Sequence, residues 1–264
     1  MASPLDRFTS RAGFYARHRP GYPDEVIRVL AREAGWTRRA VVADIGAGTG
    51  ISSALFLRHG NEVIGIEPNA DMRASAATLA SKYPRFQLIG ATAEQTTLAD
   101  ASVDFVVAAT AFHWFDHGRC RNEFRRILKP GGHVVLLWNE RGTASPFLRA
   151  YEQLLARFGK DYKVSWSRQR GAVGEACARF FAPAPCGFHQ LPNAHSHDFE
   201  GLRERLLSSS YSPLPGELGF EPMIAALREI FDRFQTDGKV VIEYETSVYW
   251  GQMHYDLVPA ASRV

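Results

Sequence analysis

With 264 residues, 45% apolar and 22% charged, the chain can bury a sizeable core and has the composition of a soluble globular protein, not a disordered one. A net charge of +3, with Lys and Arg scattered rather than blocked, leaves no electrostatic footprint for nucleic acid. No apolar run approaches the roughly 18 residues of a membrane span, and no apolar leader is visible near the N-terminus, so a cytoplasmic protein is expected.

A helix is predicted over 23–34, with Asp24 and Glu25 near its positive end. A strand at 41–45, a helix at 51–59, a strand at 62–66, a helix at 69–81 and a strand at 86–89 follow. After a loop comes the apolar run 103–108. An amphipathic helix at 116–128 carries Arg119, Arg121, Arg125 and Arg126 on a solvated face and stops at Lys129-Pro130-Gly131-Gly132. The run 133–138 is a fifth buried strand. Strands alternating with helices in this way make a parallel, doubly wound α/β sheet, which binds ligands beyond the carboxyl ends of its strands.

Beyond Asn139 the pattern loosens. A helix is predicted over 145–158, whereas 159–185 mixes Arg, Trp, Gly and Pro without a clean period. The run 188–199 alternates loosely, as a sixth strand would. Helices at 200–207 and 223–234 flank a turn-rich stretch at 208–216, and 240–250 is a further strand that completes the sheet. The expected division is a ligand-binding core at 1–140 and, at 141–264, the rest of the sheet with a cap. Insertions near 159–185 and 200–236 would build that cap over the ligand edge. Cys120, Cys177 and Cys186 have neither metal-ligand spacing nor a disulfide framework, which suits a reducing compartment. His195 and His197 would share one strand face with no third ligand, so no metal site is expected.

The densest signal is Val-Val-Ala-Asp-Ile-Gly-Ala-Gly-Thr-Gly at 41–50. A buried strand runs into a turn at Gly46, Ala47 and Gly48, where missing Cβ atoms let a ligand approach the backbone. The helix that follows directs its first N–H groups at that ligand. Glu67, at the end of the second strand, is placed to take both hydroxyls of a ribose. The dinucleotide fingerprint wants its third glycine at the sixth position, and Ile51 stands there. Asp44 would repel a pyrophosphate and attract an ammonium, directly or through water. A ligand with a ribose, a cation and no phosphate is S-adenosylmethionine rather than NAD or FAD.

Five motifs in order then resemble the class I S-adenosylmethionine-dependent methyltransferases, in particular the small-molecule group like the ubiquinone and trans-aconitate methyltransferases. They are Asp44-Ile-Gly-Ala-Gly-Thr-Gly50, Gly65-Ile-Glu67-Pro-Asn69, Ala93-Glu94 with Ser102-Val-Asp104, Ala111-Phe-His-Trp-Phe115 and Leu128-Lys-Pro-Gly-Gly132. The resemblance implies a Rossmann-like methyltransferase fold: a mostly parallel seven-stranded sheet with a helical cap. It implies that Asp44, Gly46 and Gly48 line the methionine part and that Glu67 holds the ribose, with Pro68 and Met72 beside the adenine. Ala93 and Glu94 would meet the adenine edge, and Ala109 or Thr110 would close the pocket near the sulfonium. Tyr15, His18 and Arg19 resemble an N-terminal lid. Glu94 and the lid segment, 15–23, have plainer alternatives: a helix-capping acid in a surface loop and a pre-helix loop.

Methyl transfer needs alignment and exclusion of water, and a base only if the acceptor carries a proton. His113, after the fourth strand, is the candidate base or positioning group; otherwise His113, Trp114 and Phe115 simply wall the pocket. Tyr211, Tyr244, Tyr249 and Trp250 are candidates for the acceptor site, or core. Arg141 would pair with an acidic substrate, or be solvated. The expected activity is O-, N- or C-methylation of a small organic acceptor by a monomer or homodimer, with S-adenosylhomocysteine as product and no nucleic-acid or membrane partner. The alternatives are a tRNA or protein methyltransferase, or a cofactor-binding protein of this fold without methyl transfer.

Overall fold

The computed structural model describes residues 19–160, 162, 166–209 and 211–253, those at 166–172 by backbone alone. The first half alternates as expected: α1 (Glu25–Glu33), β1 (Val41–Ile45), α2 (Ile51–Arg58), β2 (Glu62–Ile66), α3 (Ala70–Lys82), β3 (Phe86–Ile89) and β4 (Val103–Ala109). Then come α4 (His117–Ile127), β5 (Leu128–Arg141), α5 (Pro146–Phe158), α6 (Trp166–Phe181), β6 (Gly187–His197), α7 (Phe199–Leu207), α8 (Phe220–Phe234) and β7 (Val240–Gln252). The predicted starts at 69, 116 and 145 fall a residue early because a polar side chain there caps the helix, whereas α7 starts one residue before the predicted 200. The Asn69 carboxamide accepts the Asp71 and Met72 N–H groups at 3.0 Å, and Asp116, Ser145 and Asp198 cap α4, α5 and α7 in the same way.

The seven strands form one sheet in the order β3-β2-β1-β4-β5-β7-β6. The first five are parallel, and β7 runs antiparallel between β5 and β6. β1, β4 and the middle of β5 are buried on both faces, as their continuous apolar runs require. β5 is longer than its apolar run because β7 pairs with it as far as Arg141 and because Leu128 already pairs with Val103 of β4. β6 is an edge strand, which tolerates Pro192, and its side chains alternate between half-buried and exposed.

One face of the sheet packs against α4 and α6 through Phe124, Cys177, Phe180 and Phe181, the other against α1 and α2 through Val26, Leu30, Leu55 and Phe56. A third cluster joins α5, α7, α8 and the start of β7. These elements leave or enter the sheet at the carboxyl ends of β5 and β6, so they cap the edge where a ligand would bind. The cap is therefore 146–158 with 199–234. Within 159–185, expected as part of it, α6 lies on the sheet instead, while Tyr162 packs with the third cluster. Phe180 meets Phe112 edge-on with centroids 4.8 Å apart. Gly251 makes room for Phe181, since a Cβ there would sit 2.6 Å from its ring. Arg121, expected in solvent, donates to the Phe180 carbonyl at 3.1 Å and anchors the end of α6. Val173, Ala176, Cys177, Phe180 and Phe181, at helical spacing, turn the inner face of α6 to the core. Among the described residues no helix is long and apolar enough to cross a membrane, and no group of His, Cys, Asp or Glu is arranged to hold a metal.

If α6 is a core layer, Phe181→Ala should destabilise the protein by about 3–5 kcal/mol in urea unfolding. A loss below about 1 kcal/mol would mean that α6 is peripheral.

Candidate functional site

The strand order reverses between β1 and β4, and the crevice opens there, beyond the strands' carboxyl ends. At the end of β1 the chain turns sharply, and the N–H groups of Gly46 and Ala47 both donate to the Ile66 carbonyl at 2.8 and 3.1 Å. Gly46 and Gly48 adopt φ of +69° and +57°, a region costly for residues with a Cβ. A Cβ on Gly46 would also lie 2.7 Å from that of Ala111. A Cβ on Gly48 would meet only the Gly46 carbonyl oxygen, at 4.0 Å, so this glycine leaves its backbone open to a ligand.

Glu67 stands just after β2 and is only 7% exposed. Its Oε2 accepts the Gly48 N–H and its Oε1 accepts the Asn69 N–H, both at 2.9 Å. The carboxylate is thus held by backbone alone, and each oxygen keeps acceptor capacity for a diol. Burial raises its pKa, against the pull of those two N–H groups and of Arg73. Arg73 braces the same corner by donating to the Glu67 and Pro68 carbonyls at 2.7 and 2.8 Å.

Asp44, expected to line the pocket, lies behind its wall. It is fully buried, and its Oδ2 accepts the Ser52 and Ser53 hydroxyls at 2.7 and 2.6 Å. Burial pushes its pKa up to about 6, with the two serines acting in the opposite direction. Its Oδ1 has no donor among the described residues. Asp44 therefore knits β1 to the first turn of α2 and meets the cavity only through Ser52, which does line it.

The cavity has a volume of about 400 Å³. Of the residues expected at a cofactor, Arg19, Gly46, Ala47, Gly48, Glu67, Pro68, Met72, Ala93, Glu94, Ala109 and Thr110 line it. Tyr15 and His18 lie outside the described residues. Glu94 also takes the capping role, since its Oε1 accepts the Asp116 N–H at 3.0 Å at the start of α4. The residue set fits S-adenosylmethionine: a buried carboxylate aimed at a diol, an open glycine backbone and an unsatisfied acid oxygen behind the turn.

Acceptor-side expectations fare differently. Trp114 lines the cavity, but His113 does not; it sits exposed on the short turn Phe112–Trp114 with its ring against Trp114. Arg141 is buried behind the cavity in an ion pair with Glu152 at 2.5 Å, and it donates to the Tyr162 hydroxyl at 3.1 Å. Tyr211 packs edge-on against Tyr162, 4.7 Å between centroids, and Tyr249 packs between Trp138 and Phe188 on the sheet. In their place the cavity is lined by Tyr22, Asn139, Arg205 and Tyr244, of which only Tyr244 was legible as an acceptor candidate. Asn139 donates to the Pro20 and Gly21 carbonyls at 3.3 and 3.1 Å, and the Tyr22 hydroxyl bonds that of Thr110 at 3.1 Å. These bonds draw the 19–22 strap across the crevice.

Comparison with known proteins agrees with this geometry. The family model described as a methyltransferase domain matches residues 43–136. An uncharacterised methyltransferase of Mycobacterium tuberculosis is 37% identical over 152 residues, 58% of this chain and 60% of that protein. Another, from Mycolicibacterium gilvum, is 30% identical over 202 residues, 66% of this chain and 75% of that protein. The chain thus spans about 60% of the length of the curated relatives it matches first. A solved chain from Anaeromyxobacter dehalogenans, provisionally named a type II methyltransferase, shares the fold with a TM-score of 0.67 and 23% identity, covering 89% of this chain and 98% of its own.

The buried acid sets a pH test. Folded Asp44 keeps its proton to about pH 6, whereas an unfolded aspartate releases it near 3.8. Stability from the protonated form is then full below about pH 4 and falls as pH rises to about 6. Relative to Asp44→Asn, the wild type should lose up to about 3 kcal/mol between pH 4 and pH 7. Parallel pH profiles in urea unfolding would disprove the assignment.

Proposed function

The chain belongs to the class I S-adenosylmethionine-dependent methyltransferase family, and on that premise we propose that it transfers a methyl group from S-adenosylmethionine to a small organic acceptor. The observation that carries this is the Glu67 carboxylate, buried, oriented by two backbone N–H groups and facing the same cavity as the open Gly48 backbone. Glu67 would take the ribose hydroxyls, and Pro68 and Met72 would flank the adenine, with Ala93 at its edge. The glycine turn would carry the methionine part, and the free Asp44 oxygen would reach its ammonium through water or Ser52. Bound there, the cofactor would supply a methyl carbon already activated by its sulfonium.

The chain's own residues would then hold the acceptor in line and keep water out. Strap residues Arg19, Pro20 and Tyr22, together with Arg205 and Tyr244 of the cap, supply that cover. His113 lies outside the lining, so we assign it no proton transfer. A tRNA or protein acceptor is disfavoured by the +3 charge and by a site roofed by strap and cap. The three cysteines are free thiols, which suits the cytoplasmic setting we infer.

Calorimetry with S-adenosylmethionine and S-adenosylhomocysteine tests the donor, and labelled cofactor with a panel of small acceptors tests the transfer. Both cofactors should bind, and Glu67→Ala should weaken binding more than tenfold while leaving the near-ultraviolet dichroism intact. Loss of even one charge-assisted hydrogen bond is worth about 1.5–3 kcal/mol. Failure of either cofactor to bind the wild type would overturn the proposal.

A further inference from the structure

The Arg205 charge at the cavity wall has no counterion among the described residues. Arg205, on α7, is buried at 4% exposure yet lines the cavity. Its Nε donates to the Tyr244 hydroxyl at 3.1 Å and its Nη1 to the Ser209 hydroxyl at 3.2 Å, both neutral partners. A guanidinium carries five N–H groups, and the others on Arg205 have no acceptor among the described residues. Removing an arginine from water without an anion is unfavourable, so the compensating charge belongs to whatever enters the cavity. Arg141 shows the contrast. It is buried close by and already paired with Glu152, so it has no such demand.

The neighbourhood reinforces this. Arg19 lines the same cavity and is held to Ser208 by bonds to its hydroxyl at 3.2 Å and its carbonyl at 3.3 Å. The acids of the lining, Glu67 and Glu94, follow β2 and β3, on the opposite side of β1 from β5 and the cap. Tyr244 accepts from Arg205 and so retains its own O–H to donate into the cavity. Tyr211, behind the wall, reports the local field. Burial raises a phenol's pKa, as it does for Tyr151, pushed up to about 12; at Tyr211 burial also acts upward, but the charges of Arg141 and Arg205, with the Ser209 hydrogen bond and Arg19, together lower it.

We propose that Arg205 and Tyr244, with Arg19 beside them, form an oxyanion pocket for the acceptor, whose class is a small acid carrying a carboxylate or a phosphate monoester. Planar guanidinium donors match both groups. Calling this ligand the acceptor rests on the methyl-transfer proposal above; the pocket's preference for an anion does not.

The test is calorimetry on protein saturated with S-adenosylhomocysteine, using matched probes: small mono- and dicarboxylic acids against their amides, and phosphate monoesters against their alcohols. The acids or the phosphates should bind at least tenfold more tightly than their neutral partners, and which series does so identifies the source of the oxyanion. Arg205→Met should abolish the preference, Arg205→Lys should keep part of it, and S-adenosylhomocysteine affinity should stay within twofold in both. Three results would overturn the proposal: no anion preference in the wild type, a preference that survives Arg205→Met, or a more than tenfold loss of S-adenosylhomocysteine affinity, which would put Arg205 on the cofactor's own carboxylate. If Arg205→Met does not fold, the wild-type comparison decides. If the wild type binds no S-adenosylhomocysteine, the methyl-donor proposal fails, and the same probes on the free protein still decide the pocket.

Discussion

The Glu67 carboxylate ties together the loops that leave β1 and β2, and the site is built around that tie. One oxygen takes the Gly48 N–H and the other the Asn69 N–H, so the glycine turn and the start of α3 are held at a fixed spacing. A buried carboxylate is tolerable only with such donors. The Gly48 donor is available because the turn adopts left-handed conformations that glycine reaches at little cost. Asn69 then caps α3 with its side chain while giving its N–H to Glu67, and Arg73 locks the carbonyls at the same corner. A ligand diol would meet an acid already oriented.

Asn139 does the equivalent work at the other end of the crevice. Its Oδ1 accepts the Thr246 hydroxyl of β7 at 2.5 Å and the Asn193 amide of β6 at 3.1 Å, while its Nδ2 holds the strap. One side chain thus registers three strands against the segment that carries Arg19 and Tyr22. The cap closes over this point because β7 enters the sheet there, bringing Tyr244 beside Arg205. The two ends of the cavity therefore differ in kind. The glycine-turn end is shaped by backbone geometry and two acids, the cap end by side chains and two guanidinium groups.

This difference explains what was legible in the sequence. The sheet strands stood out because burial on both faces demands unbroken apolar runs, and the first turns stood out because glycine, proline and capping residues act locally. The cofactor-side residues cluster within a few positions of strand ends, so strand assignment nearly places them; eleven of the expected residues line the cavity. Asp44 shows the limit of that logic, since its position at the strand end was clear but its direction, into α2 rather than the crevice, depends on Ser52 and Ser53. The helix at 166–181 went unread because Gly171 and Gly174 interrupt its pattern and the inward residues before Phe180, namely Val173, Ala176 and Cys177, are small.

The sequence by itself determined the doubly wound α/β core, the glycine turn and the acid that faces it, because each follows from short-range periodicity or from a residue's own conformational limits. Only the tertiary structure decided the acceptor side. Arg141 and Arg205 look alike as letters, two arginines each directly preceded by a glutamate. One folds against Glu152 and is neutralised, while the other is buried against hydroxyls and left charged at the cavity wall. That outcome depends on which carboxylate lies within about 4 Å after folding, and no local pattern along the chain records it.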